Sequence, residues 1–229
     1  VQGGTFLNDA VLRAFELLTE TLNGMAERIQ RLIATQKELS SAISHELRTP
    51  ISRMRFALEM LTETDEREEQ ERLWQMMNVD LEELDNLIDS SLTYSRFERE
   101  QPEPHLTAIE FAPWLEEEVE SMRILGRSLE LSVDCSKLPD SQEVEQKSMP
   151  YAVTNLLRHA IKYAKTKISV STEVVNGHIR VYVDDDGIGI PEEERQRVFF
   201  AFTRLDRSRD RATGGYGLGL AIVRLVLEQ

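Results

Sequence analysis

Between residues 18 and 43 the chain repeats its apolar positions alternately four and three residues apart: Leu18, Leu22, Met25, Ile29, Leu32, Gln36, Leu39 and Ile43. That spacing keeps one seam on one side of a helix. It predicts a coiled coil or helix bundle inside an almost continuous helix over residues 8–62. Gln36 is the polar break in the seam, of the kind that fixes register. The charged stretch TETDEREEQ follows, and then a second helical pattern with Leu73, Met76, Met77, Leu81, Leu84, Leu87, Ile88, Leu92 and Ser95 on one face. Two helices joined so briefly make an antiparallel hairpin. A lone hairpin buries little, so the pattern predicts two copies combining into a four-helix bundle, a homodimer.

After REQPEPH (99–105), with its two prolines and crowded charges, the periodicity changes. Strand-like runs at 107–111, 128–134, 167–175 and 178–185 surround helical patterns near 112–126 and 147–164. Asn176-Gly177 splits the last two strands, the residue pair that a tight β-hairpin turn demands. These elements predict an α+β module on one sheet. No internal repeat or low-complexity tract interrupts them.

Composition narrows the chemistry. A net charge of −14 argues against a nucleic-acid binder, which needs a basic face toward the phosphates. Cys135 is the one cysteine, in the strand-like run LELSVDC, which excludes an internal disulfide and fits a small core residue in a reducing compartment. No apolar run approaches the ~18 residues that span a bilayer, and no signal peptide opens the sequence, so the stretch reads as a soluble piece.

Four short segments carry candidate chemistry. In SHELRTP, His45 falls two residues past Ile43, about 200° around the helix and away from the seam. Thr49 shares its face, Glu46 is adjacent, and Pro50 cannot donate to the carbonyl of Glu46, so a bend is expected there. An exposed imidazole beside a carboxylate suits a nucleophile; a surface histidine on a polar face explains it equally well. DDDGIGIP follows a strand and places Asp185 before Gly187 and Gly189, a carboxylate at a flexible turn. GGYGLGLAIV puts glycines 214, 215, 217 and 219 ahead of an apolar helix, where free N–H groups and the helix dipole suit phosphate. NLLRHAIKYA sets Asn155 and His159 one turn apart on a helix, followed by Lys162 and Tyr163. Packing accounts for Leu156, Leu157, Ala160 and Ile161, and does not account for Asn155 or Lys162. Between the glycine-bearing segments, TRLDRSRDRAT reads as a mobile arginine-rich cover.

Taken in order, these segments resemble a HisKA-type sensor histidine kinase of a two-component system, over nearly the whole chain. SHELRTP resembles the H box, NLLRHAIKYA the N box, DDDGIGIP the G1 box, VFFAFTR the F box and GGYGLGLAI the G2 box. LNGMAERIQRLI resembles the closing helix of a HAMP domain. The fold implied is multi-domain. An all-α dimeric four-helix bundle, one helical hairpin per chain, is followed by an α+β two-layer sandwich that binds ATP, of the Bergerat (GHKL) type. The implied boundaries are a HAMP remnant and signalling coiled coil over 1–34, the phosphotransfer hairpin over 35–100, a linker over 101–106 and the ATP domain over 107–229.

The resemblance implies that His45 accepts phosphate, Glu46 acts as its base, and Thr49 positions a water for dephosphorylating the partner, a response-regulator receiver domain. It implies that Asp185 reads adenine beside Gly187 and Gly189, Tyr163 packs on the nucleotide, and Lys162 lies near the phosphates. Gly215, Gly217, Leu218 and Gly219 would cradle them, with Arg204 near the γ-phosphate and Asn155 on Mg²⁺. Two departures stand out. His159 occupies the place of a second, Mg²⁺-binding asparagine, and the chain ends inside the helix after the G2 box, where further strands are expected. The leading reading is an autophosphorylating kinase and regulator phosphatase. The second is a kinase-impaired phosphatase, and a GHKL-type ATPase is remote. Such proteins sit in the bacterial inner membrane through an N-terminal part absent from this sequence.

Overall fold

The computed structural model describes residues 3–99, 105–139, 141–205 and 215–228; within these, the side chains of 3–17, 28, 31 and 32 are not described. It divides into two compact units, Val1–Glu46 and Leu47–Gln229.

The first unit is helical throughout its described length, the first part of helix α1 (Gly3–Glu63). Its seam residues Leu18, Leu22, Met25 and Ile29 are each more than half exposed in the single chain. An apolar stripe of this kind is a surface a helix normally covers.

In the second unit α1 continues through Pro50 to Glu63, and after three residues α2 (Arg67–Arg99) begins. Arg53 of α1 reaches both Asp80 and Glu83 of α2, pairings that place the two helices antiparallel about the 64–66 turn. Asp80 is 2% exposed, so this ion pair is largely withdrawn from water. Leu73, Leu87, Tyr94 and Phe97 are the buried apolar face of α2.

The α+β part contains β1 (Leu106–Ile109), α3 (Phe111–Met122), β2 (Glu130–Asp134), β3 (Gln142–Glu145), α4 (Met149–Tyr163), β4 (Lys167–Val175), β5 (His178–Asp185) and α5 (Gly219–Leu227). The strands form two sheets rather than one. β1 pairs antiparallel with β3, while β4 lies between parallel β2 and antiparallel β5. Ile168, Val170 and Thr172 alternate inward along β4, as a half-buried strand requires. Ile168 and Val170 meet Phe111, Leu115 and Val119 of α3 and Val153, Leu157 and Ala160 of α4, both spaced by helical turns. Each large side chain buried here contributes roughly 1.5–3 kcal/mol by leaving water. The core thus clamps α4 to the sheet and fixes the helix that carries the candidate site. Asn176 and Gly177 both take positive φ (54° and 79°) at the β4–β5 turn, as the tight hairpin requires.

Candidate nucleotide and phospho-acceptor sites

The His45 side chain is 77% exposed on α1, with Nδ1 3.6 Å from the Glu46 carboxylate. Both residues close the first unit. Thr49, one helical turn on, is half-buried in the second.

The remaining candidates gather around α4. Pro150 sits at its first turn, where a missing N–H is harmless. Asn155, His159 and Tyr163 succeed one another at four-residue intervals, so they line one stripe of the helix. Asn155 Nδ2 donates to the Tyr151 carbonyl at 2.7 Å, which fixes the orientation of the amide. Its Oδ1 faces the start of α5: a β-carbon at Gly219 would lie 2.9 Å from it. The His159 ring packs at a tilt on Tyr163, centroids 4.7 Å apart. Burial holds its pKa below the ordinary histidine value, Asp185 opposes that shift and Lys162 adds to it. The imidazole is therefore neutral near pH 7. The Lys162 ammonium lies 4.9 Å from the Tyr163 ring and would be 3.3 Å from a β-carbon at Gly215.

Two backbone turns close on this helix. After β5, Asp185 Oδ1 accepts from the Gly187 N–H at 2.8 Å. A β-carbon at Gly187 would come within 2.5 Å of both that oxygen and the Tyr163 carbonyl, so only glycine lets the Asp185 turn seat against the end of α4. Gly189 adopts φ +70°. Before α5, Gly217 has φ +73° and packs on the Thr203 carbonyl, while the Phe202 N–H donates to the Gly217 carbonyl at 2.9 Å. This ties the F-box segment to the glycine loop and puts Arg204, exposed, one residue beyond the contact. Leu218 is 2% exposed and anchors the loop to the core at the N-terminus of α5. Gly214 and most of TRLDRSRDRAT fall outside the described residues, as do residues 101–104 of the linker.

Asp186, one of three consecutive aspartates with nothing local to distinguish it, has a structural role. Its carboxylate accepts from the Thr166 hydroxyl and the Lys165, Thr166 and Lys167 N–H groups, binding the α4–β4 turn to the end of β5. The Thr166 hydrogen bonds, side-chain and backbone, hold its pKa far below the carboxylate range.

The donor set limits the metal chemistry. Among the described residues no three His, Cys, Asp or Glu side chains cluster to hold a metal ion. The oriented amide oxygen of Asn155 fits Mg²⁺ in the usual manner, where phosphates and water complete the shell. An imidazole at His159 is a nitrogen donor that Mg²⁺ does not favour.

Comparison with known proteins identifies the class. Residues 35–100 match the His Kinase A (phospho-acceptor) domain, and residues 145–229 match the histidine kinase-, DNA gyrase B- and HSP90-like ATPase family. The chain belongs to the two-component sensor histidine kinases. It is 36% identical over 213 residues to the sensor protein RstB of Escherichia coli K12, covering 93% of this chain and 48% of the relative. It is 33% identical to the sensor histidine kinase CpxA of the same strain, covering 91% and 45%. The chain thus spans about half the length of the curated relatives it matches. Among solved structures, the Acinetobacter baumannii histidine kinase AdeS superposes with a TM-score of 0.60 at 22% identity, covering 80% of this chain and 86% of that one, a likeness of fold. No helix among the described residues is long and apolar enough to cross a membrane.

Proposed function

We propose that this chain transfers the γ-phosphoryl group of ATP to His45 and then to an aspartate on a response-regulator receiver domain. It acts as a homodimer that also dephosphorylates the regulator. The observation that carries this reading is the convergence of Asn155 on Gly219 and of Lys162 on Gly215. It sets one hard oxygen and one cation against a glycine loop that opens a helix, a combination suited to a nucleotide's phosphates.

In this reading Asp185 accepts a hydrogen bond from the adenine amine, with Gly187 and Gly189 shaping its turn, and Tyr163 packs on the nucleotide. Lys162, Arg204 and the backbone of Gly215, Gly217, Leu218 and Gly219 neutralise and orient phosphate. Phosphoryl transfer demands positioning and charge neutralisation more than covalent help, and these groups supply both. Mg²⁺ would be held through Asn155 Oδ1 and, when bound, neutralises phosphate charge. At the acceptor, Glu46 orients the exposed imidazole and takes its proton, leaving the other ring nitrogen to attack the γ-phosphorus as the bond to the bridging oxygen breaks and ADP departs. Thr49 positions the water that removes phosphate from the regulator. The exposed seam of Leu18, Leu22, Met25 and Ile29 supports pairing with a second copy. The functional divisions proposed are the signalling helix over 1–34, the hairpin over 35–100, the linker over 101–106 and the ATP domain over 107–229. Placement of the full-length protein in the inner membrane belongs to the same proposal.

A second reading, favoured by His159 packed neutral on Tyr163 beside Asn155, is a kinase-impaired protein in which the regulator phosphatase survives. The two separate with γ-labelled ATP, Mg²⁺ and the His159→Asn variant. Label on the parent supports the kinase; label on His159→Asn alone supports the impaired form; label on neither refutes both kinase assignments.

A further inference from the structure

Asn155 and His159 stand one turn apart on α4, and each brings a different donor atom to the same stripe. The Asn155 amide nitrogen is committed to the Tyr151 carbonyl, which turns its oxygen to the mouth of α5, 2.9 Å from the ideal β-carbon position of Gly219. His159 is half-buried, and among the described residues neither of its ring nitrogens makes a hydrogen bond. Polar groups withdrawn from water normally find partners, so an imidazole with both nitrogens unengaged calls for a ligand. The ring rests on Tyr163, with centroids 4.7 Å apart and planes tilted by 51°. Side chains on a helix lean toward its N-terminus, so Tyr163 backs His159 and leaves it facing Asn155.

Residues four apart on a helix carry their β-carbons about 5–6 Å from each other. One metal ion bonded to both side chains at about 2 Å closes that gap, as histidine pairs of this spacing do for zinc. The charges around the ring are balanced: the Asp185 carboxylate favours a cation there and the Lys162 ammonium opposes one. An ion at this place therefore needs further anionic ligands, and a nucleotide's phosphates are such ligands.

The donor pair does not suit Mg²⁺, which holds to oxygen ligands in near-ideal octahedral geometry. First-row transition dications accept imidazole beside oxygen, and among them Mn²⁺ is the one at home with phosphate, amide and water oxygens. We propose that His159 is a specificity-determining metal ligand, and that with Asn155 Oδ1 and the nucleotide's phosphates it binds Mn²⁺ in preference to Mg²⁺. The inference rests on the nucleotide reading of this site. In it His159 is a ligand, where the impaired-kinase reading has an obstruction.

The test compares the whole chain with His159→Asn, which replaces the imidazole by a second amide. ADP binding is titrated calorimetrically in excess Mn²⁺ or Mg²⁺, and electron spin echo envelope modulation is recorded on the complex with Mn²⁺ and ADP. Isotopic labelling of histidine nitrogen separates imidazole from adenine in those spectra. The parent's affinity ratio for ADP in Mn²⁺ over Mg²⁺ should exceed that of His159→Asn by about tenfold, the lower end of what altered metal surroundings produce. Coupling of Mn²⁺ to a histidine nitrogen should appear in the parent and be absent from the variant. Equal ratios, or a parent spectrum without that coupling, overturn the ligand assignment while ADP binding upholds the nucleotide reading. ADP binding by His159→Asn alone also overturns it and makes His159 an obstruction. No ADP binding by either protein with either cation overturns the nucleotide reading and the inference together.

Discussion

Asn155 and Gly219 stand in contact across two helices: the amide oxygen of one fills the space that a side chain on the other would need, 2.9 Å from the ideal β-carbon position. The loss of a single methyl group at residue 219 is therefore what admits the asparagine to the mouth of α5.

Gly219→Ala separates binding from stability. The helix-forming gain of alanine, up to about 1 kcal/mol in a helix interior, is smaller at this first helical position and only offsets the crowding by the methyl, so thermal stability changes little. The added methyl displaces the Asn155 oxygen, and nucleotide affinity falls by about tenfold, equivalent to about 1.4 kcal/mol. Calorimetric titration with ADP and a melting curve on the same sample read both. Gly187→Ala behaves differently, because its methyl collides with the Tyr163 backbone carbonyl as well as Asp185. Melting temperature and affinity drop together there.

His159 gives the chain a pH signature. Its folded-state pKa is depressed by burial, so the unfolded chain takes up a proton near the ordinary pH of ~6.5 while the folded chain does not. Stability is undiminished above that pH and is lost as pH falls through it. His159→Asn removes this slope. The difference in melting temperature between variant and parent should widen from pH 7 to pH 5; curves that stay parallel would contradict the burial.

Much of this was legible in the sequence, for identifiable reasons. The four-three seam and the Asn176-Gly177 turn are local patterns whose physics closes within a few residues. The glycine motifs likewise announced a turn beside a carboxylate and a loop before a helix. β3 leaves no local signature, because Gln142–Glu145 reads QEVE, too short and polar to show alternation; its pairing with β1 is a tertiary event. The apolar pattern carries the first strand on to Phe111, whereas the strand ends at Ile109 and Phe111 opens α3 as a core anchor. The division into two sheets and the Asp186 cluster join residues far apart in sequence, where no local pattern points.

The Arg53–Asp80 pair tests the hairpin. Arg53→Met strands a carboxylate that is 2% exposed, and breaking such a pair costs about 3–5 kcal/mol. The partly exposed arginine (27%) puts the expectation at the lower end. The double variant Arg53→Met/Asp80→Leu replaces both charges with apolar groups and should recover most of the loss. Urea unfolding followed by helical circular dichroism measures each midpoint; a double variant no more stable than the single would argue against a withdrawn ion pair.

The most direct test of the central claim is the location of the phosphate. After incubation with γ-labelled ATP and Mg²⁺, tryptic digestion at neutral to alkaline pH releases the peptide Glu38–Arg48, whose sole histidine is His45. The account predicts that the label lies on this peptide, is lost on acid treatment as a phosphoimidazole, and is absent from His45→Ala. Acid-stable label on its serines, label elsewhere in the chain, or label persisting in His45→Ala would contradict it.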